Sequence, residues 1–188
     1  MIGEIGHTKT FEFSGTNASG FPFTIEKITR IKEKTQIGGR TVFVQETNIP
    51  IRREVIQGYA LADFENGLFE VGGEDDNIGQ FIYETPALLI PKSFTPYNTI
   101  SQQILAGELG TIETTTQFSI SPFPIVTLGG TFDSVLVVMD KLTYLTVDAI
   151  NISWYALDVG LIKSASYYYT RSDGLVITEF NILKSVDM

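Results

Sequence analysis

The chain has 188 residues, of which 43% are hydrophobic, 12% aromatic and 19% charged, and its 13 basic and 22 acidic side chains give a net charge of −9. This composition is typical of one folded domain, because its apolar surface is large enough to offset the entropy lost on ordering. A surface of this sign repels phosphate backbones and anionic lipid headgroups, so we expect no nucleic-acid partner.

Strand-length runs rich in β-branched and aromatic residues recur along the whole chain. The clearest is TIETTTQFSI at 111–120, which alternates with a period of two. The others lie at 4–14, 22–35, 41–48, 53–63, 67–72, 78–84, 133–146, 149–157, 160–170 and 174–184. Turn signals separate them every 8–14 residues or so, as in antiparallel hairpins. The sequence therefore predicts an all-β fold with little or no helix: a strongly curved antiparallel meander, shaped as a half-barrel or open barrel.

Two segments leave alternatives open. TISQQILAGELG at 99–110 fits a helix capped by Thr99 or Ser101 and fits a strand equally well. The segment ETPALLIPKSFTPYN carries three prolines that interrupt the strand rhythm, so it reads as a linker or as a packed crossing loop. We predict a single β domain over residues 1–188, and its one candidate subdivision lies near 86–98.

Two charged clusters are candidates for ion binding. Arg30, Lys32 and Lys34 alternate along one predicted strand, and this pattern favours a solvated strand face over an anion site. A second cluster, Glu74, Asp75 and Asp76, follows two glycines and is a weak candidate for calcium. Its spacing does not match an EF-hand loop, so a solvated hairpin tip is the favoured interpretation and no metal is expected.

Residue types needed for common catalytic sites are scarce. The chain has no cysteine, and its one histidine, His7, lies in a predicted strand near the N-terminus. A catalytic triad, a thiolate nucleophile and a multi-histidine metal site therefore lack their residues. The P-loop, dinucleotide-binding and nucleophile-elbow patterns are absent as well. We predict a protein that is not an enzyme and uses no cofactor.

The aromatic residues near the C-terminus are the candidate ligand-binding residues. Trp154 and Tyr155 are consecutive, and Tyr167 and Tyr169 flank Tyr168, so alternation sends these rings to both faces of the predicted sheet. They serve either cross-strand packing or ligand stacking. We name Trp154, Tyr155, Tyr167 and Tyr169 as candidates for the second role.

The C-terminal half resembles uncharacterised bacterial periplasmic proteins and lipoproteins. Their pattern combines GTF(D/E) with (W/Y)YAPGVGLVK, and it is matched here by LGGTFDSVLVV and WYALDVGLIKS. The matching residues are Gly130, Thr131, Phe132 and Asp133, then Trp154, Tyr155, Ala156, Val159, Gly160, Leu161, Ile162 and Lys163. Leu157 and Asp158 stand where Pro-Gly is usual, and Leu128 and Gly129 where Pro-Ala is usual. The resemblance implies a curved sheet akin to lipoprotein carriers, outside the cytoplasm, and we expect Phe132 to anchor a strand edge in its core.

Three functional hypotheses follow. The first is a non-enzymatic, extracytoplasmic binding protein of lipoprotein type, whose curved sheet receives an apolar small molecule, a lipid or a partner protein. The second is a carbohydrate-binding or adhesion module that uses exposed aromatics, and the third is a hydrolase with a carboxylate pair.

The sequence also bears on location. No run of 18 apolar residues is present, so we expect no transmembrane segment, and MIGEIGHTKT lacks the features of a signal peptide. The absence of cysteine fits a chain whose lipidated N-terminal cysteine lay upstream and has been removed, and it fits a cytosolic protein equally well. We expect a periplasmic or outer-membrane-attached location, with the cytoplasm as the alternative.

Overall fold

A computed structural model describes residues 5–16, 19–52, 54–63, 65–75, 79–105, 110–144, 147–170 and 176–187. The described residues form strands and one short 3-10 turn at Pro50–Arg52. The strands are β1 (Thr8–Thr16), β2 (Pro22–Ile37), β3 (Arg40–Ile49), β4 (Glu54–Asp63), β5 (Gly67–Asp75), β6 (Gly79–Pro91), β7 (Thr99–Leu105), β8 (Thr111–Ile120), β9 (Ile125–Thr127), β10 (Gly130–Phe132), β11 (Leu136–Tyr144), β12 (Val147–Ala156), β13 (Gly160–Thr170) and β14 (Val176–Asp187). The predicted all-β class is confirmed, and none of the described residues forms a helix that could span a membrane.

Twelve strands make one antiparallel sheet in the order β6-β5-β4-β3-β2-β1-β14-β13-β12-β11-β8-β7. Neighbours in sequence pair as a meander, and the first strand pairs with the last, so the chain runs in order around the sheet. The hairpin of β9 and β10 stands apart as a second, two-stranded sheet. The predicted curved antiparallel sheet is confirmed, and it closes nearly into a barrel.

The edge strands β6 and β7 meet at the seam of this barrel, where the side-chain amide of Gln102 replaces backbone pairing. Its Nε2 donates to the Leu88 carbonyl at 3.0 Å, and its Oε1 accepts from the Leu88 N–H at 2.8 Å. One side chain therefore satisfies both backbone groups of an edge residue, as a neighbouring strand would. The segment 99–105, for which helix and strand were both open, is a strand, and its extended backbone carries Gln102 to the seam.

We expect Gln102→Ala to lower the free energy of unfolding by about 1–3 kcal/mol, since it leaves a half-buried N–H and carbonyl without their partner. Urea unfolding measures the loss. Gln103→Ala is the matched control, because Gln103 is an exposed neighbour that bonds to Glu113. Equal effects of the two substitutions would show that the seam bond adds nothing.

The proline-rich segment is part of the sheet. Residues 79–91 form β6 and pair with β5, with register shifts that accommodate the irregular stretch around Pro86. Prolines are tolerated there because β6 is an edge strand, on which a missing N–H donor breaks no ladder. Residues 86–91 are therefore neither a linker nor a crossing loop, because they form the end of an edge strand.

Among the described residues, buried side chains form four clusters. One, which we call the end cluster, contains Phe11, Val135, Ala156, Ile162 and Leu183. The β9–β10 hairpin covers it, held by the Gly129 N–H, which donates to the Leu183 carbonyl at 2.9 Å. Phe132 on this hairpin is half-buried against the cluster, so it anchors the hairpin and not a strand of the main sheet.

The bend at 157–160 explains one departure from the resemblance. Asp158 has φ 61° and Gly160 has φ 81°, both in the left-handed region. The family pattern has glycine at the first of these positions, where glycine has no steric penalty and Asp is among the better tolerated alternatives. The exchange therefore keeps the turn.

Candidate ligand cavity

Three cavities adjoin one another along the described part of the sheet. Their volumes are about 650, 220 and 70 Å³. The two larger ones share Phe43, Leu68 and Ile90, and the 220 Å³ cavity shares Lys9 and Leu161 with the smallest. These shared walls place the three cavities in a row, and we call this series the cavity path. Phe11 of the end cluster lines the smallest of them.

Two hairpins and the end of β6 build the opposite end of the path, which we call the mouth. The 650 Å³ cavity is lined there by Arg40 after the β2–β3 turn, by Asp63 and Gly67 at the β4–β5 turn, and by Lys92. The Asp63 carboxylate is engaged within its own turn, where it accepts hydrogen bonds from Asn66 and from the Glu65 N–H. The mouth thus combines apolar walls with cations.

A β-bulge determines which basic residue of β2 reaches the mouth. Arg30 Nη2 and Lys32 Nζ both pair with the Glu46 carboxylate, at 2.6 and 3.3 Å, on the strand face that was predicted to be solvated. The register shifts at Lys32, so Lys34 pairs with Phe43 and shares its face. Its ammonium lies 5.2 Å from the Phe43 ring centroid and lines the 650 Å³ cavity. Simple alternation would have kept all three cations together.

Two further lysines lie deep along the path. Lys9 and Lys27 both line the 70 Å³ cavity. Burial lowers the pKa of Lys9 to about 8. Burial also lowers the pKa of Lys27, although Glu179 and Glu54 oppose that shift. Lys27 therefore has carboxylates nearby in the fold, and its ammonium also lies 5.3 Å from the Phe13 ring centroid.

Two carboxyl groups from distant strands approach each other inside the sheet. Burial and, to a lesser extent, the charge of Asp140 raise the pKa of Glu70 to about 7. Burial also raises the pKa of Asp140. The Thr116 hydroxyl, which donates to Asp140 Oδ1 at 2.5 Å, has the opposite, smaller effect on this pKa. The Tyr155 pKa is raised to about 12, mainly by burial, and both carboxyl groups contribute. The lining of the three cavities does not include this acid pair.

The four candidate aromatic residues separate onto two faces. Tyr155 lines the 220 Å³ cavity and packs against the cluster of Ile90 and Phe118. Trp154 lies on the opposite face, beneath Lys163, whose ammonium is 5.0 Å from the ring centroid. Tyr167 and Tyr169 are on that outer face as well, with 37% and 45% of their surfaces exposed. Of the four, only Tyr155 touches the cavity path.

The acidic segment 74–76 lies at the junction of β5 and β6. Exposed Glu74 pairs with Gln80, and its Oε2 accepts a hydrogen bond from the Tyr59 hydroxyl at 3.1 Å. Asp75 ends β5, whereas Asp76 lies outside the described residues. Across the described ranges no three carboxylate or histidine side chains gather as metal ligands. The calcium candidate stays a prediction.

Sequence reasoning missed most residues of the cavity path. Phe43, Leu68 and Ile90 come from three strands and are unremarkable in sequence, because any strand face supplies such residues. The inward position of Lys9 could have been predicted from its neighbours in the sequence. It occupies the same face of β1 as Phe11 and Phe13, and a charge in line with buried aromatics marks an inward-pointing cation.

No protein-family model matches this chain, and no curated protein matches it. A candidate exported protein with a YmcC-like fold from Bacteroides fragilis is 12% identical, with a TM-score of 0.43, over 99% of this chain and 97% of that one. A candidate lipoprotein from Parabacteroides distasonis is 13% identical, with a TM-score of 0.42, over 98% and 96%. At such low similarity these neighbours transfer neither function nor location to this chain.

Proposed function

We propose that this chain is a non-enzymatic binding protein that takes an apolar small molecule or lipid into the cavity path. The observation that carries the proposal is the adjacency of the 220 and 650 Å³ cavities, which share Phe43, Leu68 and Ile90 in their walls. Ligand sites are typically concave, mostly apolar and a few hundred Å³ in volume, with a small number of polar groups. The two larger cavities are of that size and their exposed lining is mostly apolar.

The neutral apolar dye N-phenyl-1-naphthylamine tests the proposal. We expect saturable binding at micromolar concentration, equivalent to about −8 kcal/mol, with enhanced dye emission in an apolar environment. Ala60→Trp should weaken dye binding, because Ala60 lines the 220 Å³ cavity and a large ring there removes part of the space that the dye would occupy.

Tyr167→Ala is the control, since Tyr167 lies on the outer face and its loss should leave dye binding unchanged. Absence of saturable binding up to millimolar dye would refute the proposal. Unchanged dye binding in Ala60→Trp would place the dye outside the 220 Å³ cavity.

A second candidate function is adhesion through the outer face of β11 to β13. Met139, Ile150, Tyr167 and Tyr169 each expose 37–45% of their surface there. Against sugar stacking, the Tyr167 ring meets Phe180 edge-on, at 88° and 6.1 Å, so these two rings form no flat platform. Retention on immobilised glycans that a Tyr167→Ser, Tyr169→Ser variant loses would favour adhesion.

For the third hypothesis, a carboxylate-pair hydrolase, the candidate carboxyl groups are Glu70 and Asp140. A glycosidase pair needs room between its carboxyl groups for a sugar bond. Here the pair is flanked by Thr116, Tyr83 and Tyr155 and lines none of the three cavities. We therefore favour a binding role.

We further propose that the protein acts outside the cytoplasm, as the C-terminal resemblance implies. Fractionation of cells that make the protein from its natural gene tests this. Recovery with the periplasmic or outer-membrane fraction is the expected result, and recovery with a cytoplasmic marker would contradict it.

A further inference from the structure

We infer that the ligand carries a negatively charged head, which pairs with the Lys9 ammonium inside the cavity path, while its apolar tail extends towards the mouth. This inference rests on the proposed binding function and assigns the chemical class of the ligand, a single-chain anionic amphiphile. A carboxylate or a phosphate would meet the requirement.

Lys9 occupies the junction of two cavities. It lies on β1, where it pairs with Thr29 on one side and Val186 on the other. Its side chain lines both the 220 and the 70 Å³ cavity. A ligand atom at that junction would contact the ammonium directly.

The Lys9 charge has no counter-ion among the described residues. His7 and Arg30 share the 220 Å³ cavity with it, Lys27 shares the smaller one, and Asp158 is the one carboxylate in either lining. No described carboxylate forms an ion pair with Lys9, and burial alone accounts for its lowered pKa. A buried ammonium is costly unless it is paired. An anionic head would supply the missing partner.

The mouth favours the same class of ligand. Lys34, Arg40 and Lys92 line it, and the one carboxylate in that lining, Asp63, accepts hydrogen bonds within its own turn and also interacts with Lys92, so the lining keeps an excess of cations. The chain as a whole carries −9. A cationic opening on an acidic protein directs anions to the opening and repels them elsewhere.

The test compares three twelve-carbon ligands by isothermal titration calorimetry: dodecanoate, dodecyl phosphate and 1-dodecanol. We expect the wild-type protein to bind at least one of the two anions about tenfold or more tightly than the alcohol, as charge-assisted pairing in an apolar site predicts. The relative affinities of dodecanoate and dodecyl phosphate distinguish a carboxylate head from a phosphate head.

Lys9→Met should remove this preference while the alcohol still binds, because methionine keeps the length of the side chain and loses its charge. Lys9→Arg should retain the preference. Lys163→Met is the matched control, since Lys163 lies over Trp154 on the outer face. Unfolding curves of the Lys9 variants confirm that they fold.

Equal wild-type affinity for the alcohol and both anions would overturn the head-group inference and leave the proposed binding function intact. An anion preference that survives in Lys9→Met would overturn the role of Lys9. No binding of any of the three ligands, with no dye binding, would overturn both proposals.

Discussion

Replacing Phe118 by alanine is expected to lower the free energy of unfolding by about 3–5 kcal/mol, the usual cost of emptying a buried phenylalanine site. Phe118 is 1% exposed and packs with Ile90, Leu136 and Val138, and its ring lies 5.6 Å from that of Phe94. The loss combines the transfer of the ring to water with the cavity left behind. Denaturant unfolding at constant pH measures it.

Phe132→Ala is the comparison for this result. Phe132 is half-buried on the β9–β10 hairpin, so its removal exposes less new surface and the hairpin can relax onto the end cluster. We expect it to cost about 1–3 kcal/mol, less than the fully buried site. If Phe132→Ala cost more than Phe118→Ala, the hairpin would be the more important of the two core elements.

Replacing Glu70 by glutamine is expected to raise the free energy of unfolding by about 3 kcal/mol at pH 8 and to have little effect near pH 4.5. Folding raises the pKa of Glu70 to about 7, through burial and then through Asp140. Between about pH 4.5 and 7 the folded state therefore holds a proton that the unfolded chain has released. Stability falls as the pH rises through this window, and it stays lower above it.

Glutamine cannot ionise, so the variant should lack this loss of stability. Urea unfolding at pH 4.5, 6 and 8 follows the divergence of the two proteins. Glu84→Gln is the control, because Glu84 is exposed on β6 and its substitution changes the net charge by the same amount. Parallel pH profiles for the wild type and Glu70→Gln would show that Glu70 is solvated in the folded state.

The interior contains two separate groups of ionisable side chains, the acid pair and the two lysines of the cavity path. Glu70 and Asp140 approach each other without a described cation in the pair, whereas Lys9 and Lys27 line the smallest cavity of the cavity path. Both arrangements reduce stability, because each desolvates charge. Protonation relieves the acid pair. For Lys9, the relief that we propose is an anionic ligand.

Local pattern was a good guide wherever a residue's environment follows from its immediate neighbours. The alternation of 111–120 predicted β8 with its bounds, and the turn spacing predicted an antiparallel meander with little helix. It also placed Tyr167 and Tyr169 on the face opposite Tyr168, because the period of two is a property of any extended strand. A pattern of this range could not choose between helix and strand for 99–105.

The sequence by itself determined the all-β class, the antiparallel order of neighbouring strands, and the acidic surface, since composition and period set these properties locally. Only the tertiary structure decided that β1 pairs with β14 and that Gln102 closes the seam. It also decided that a bulge at Lys32 sends Lys34 to the cavity path. Such features join residues far apart in the chain or shift a register by one residue. The energy that selects them comes from packing across the whole sheet, which no short stretch of sequence contains.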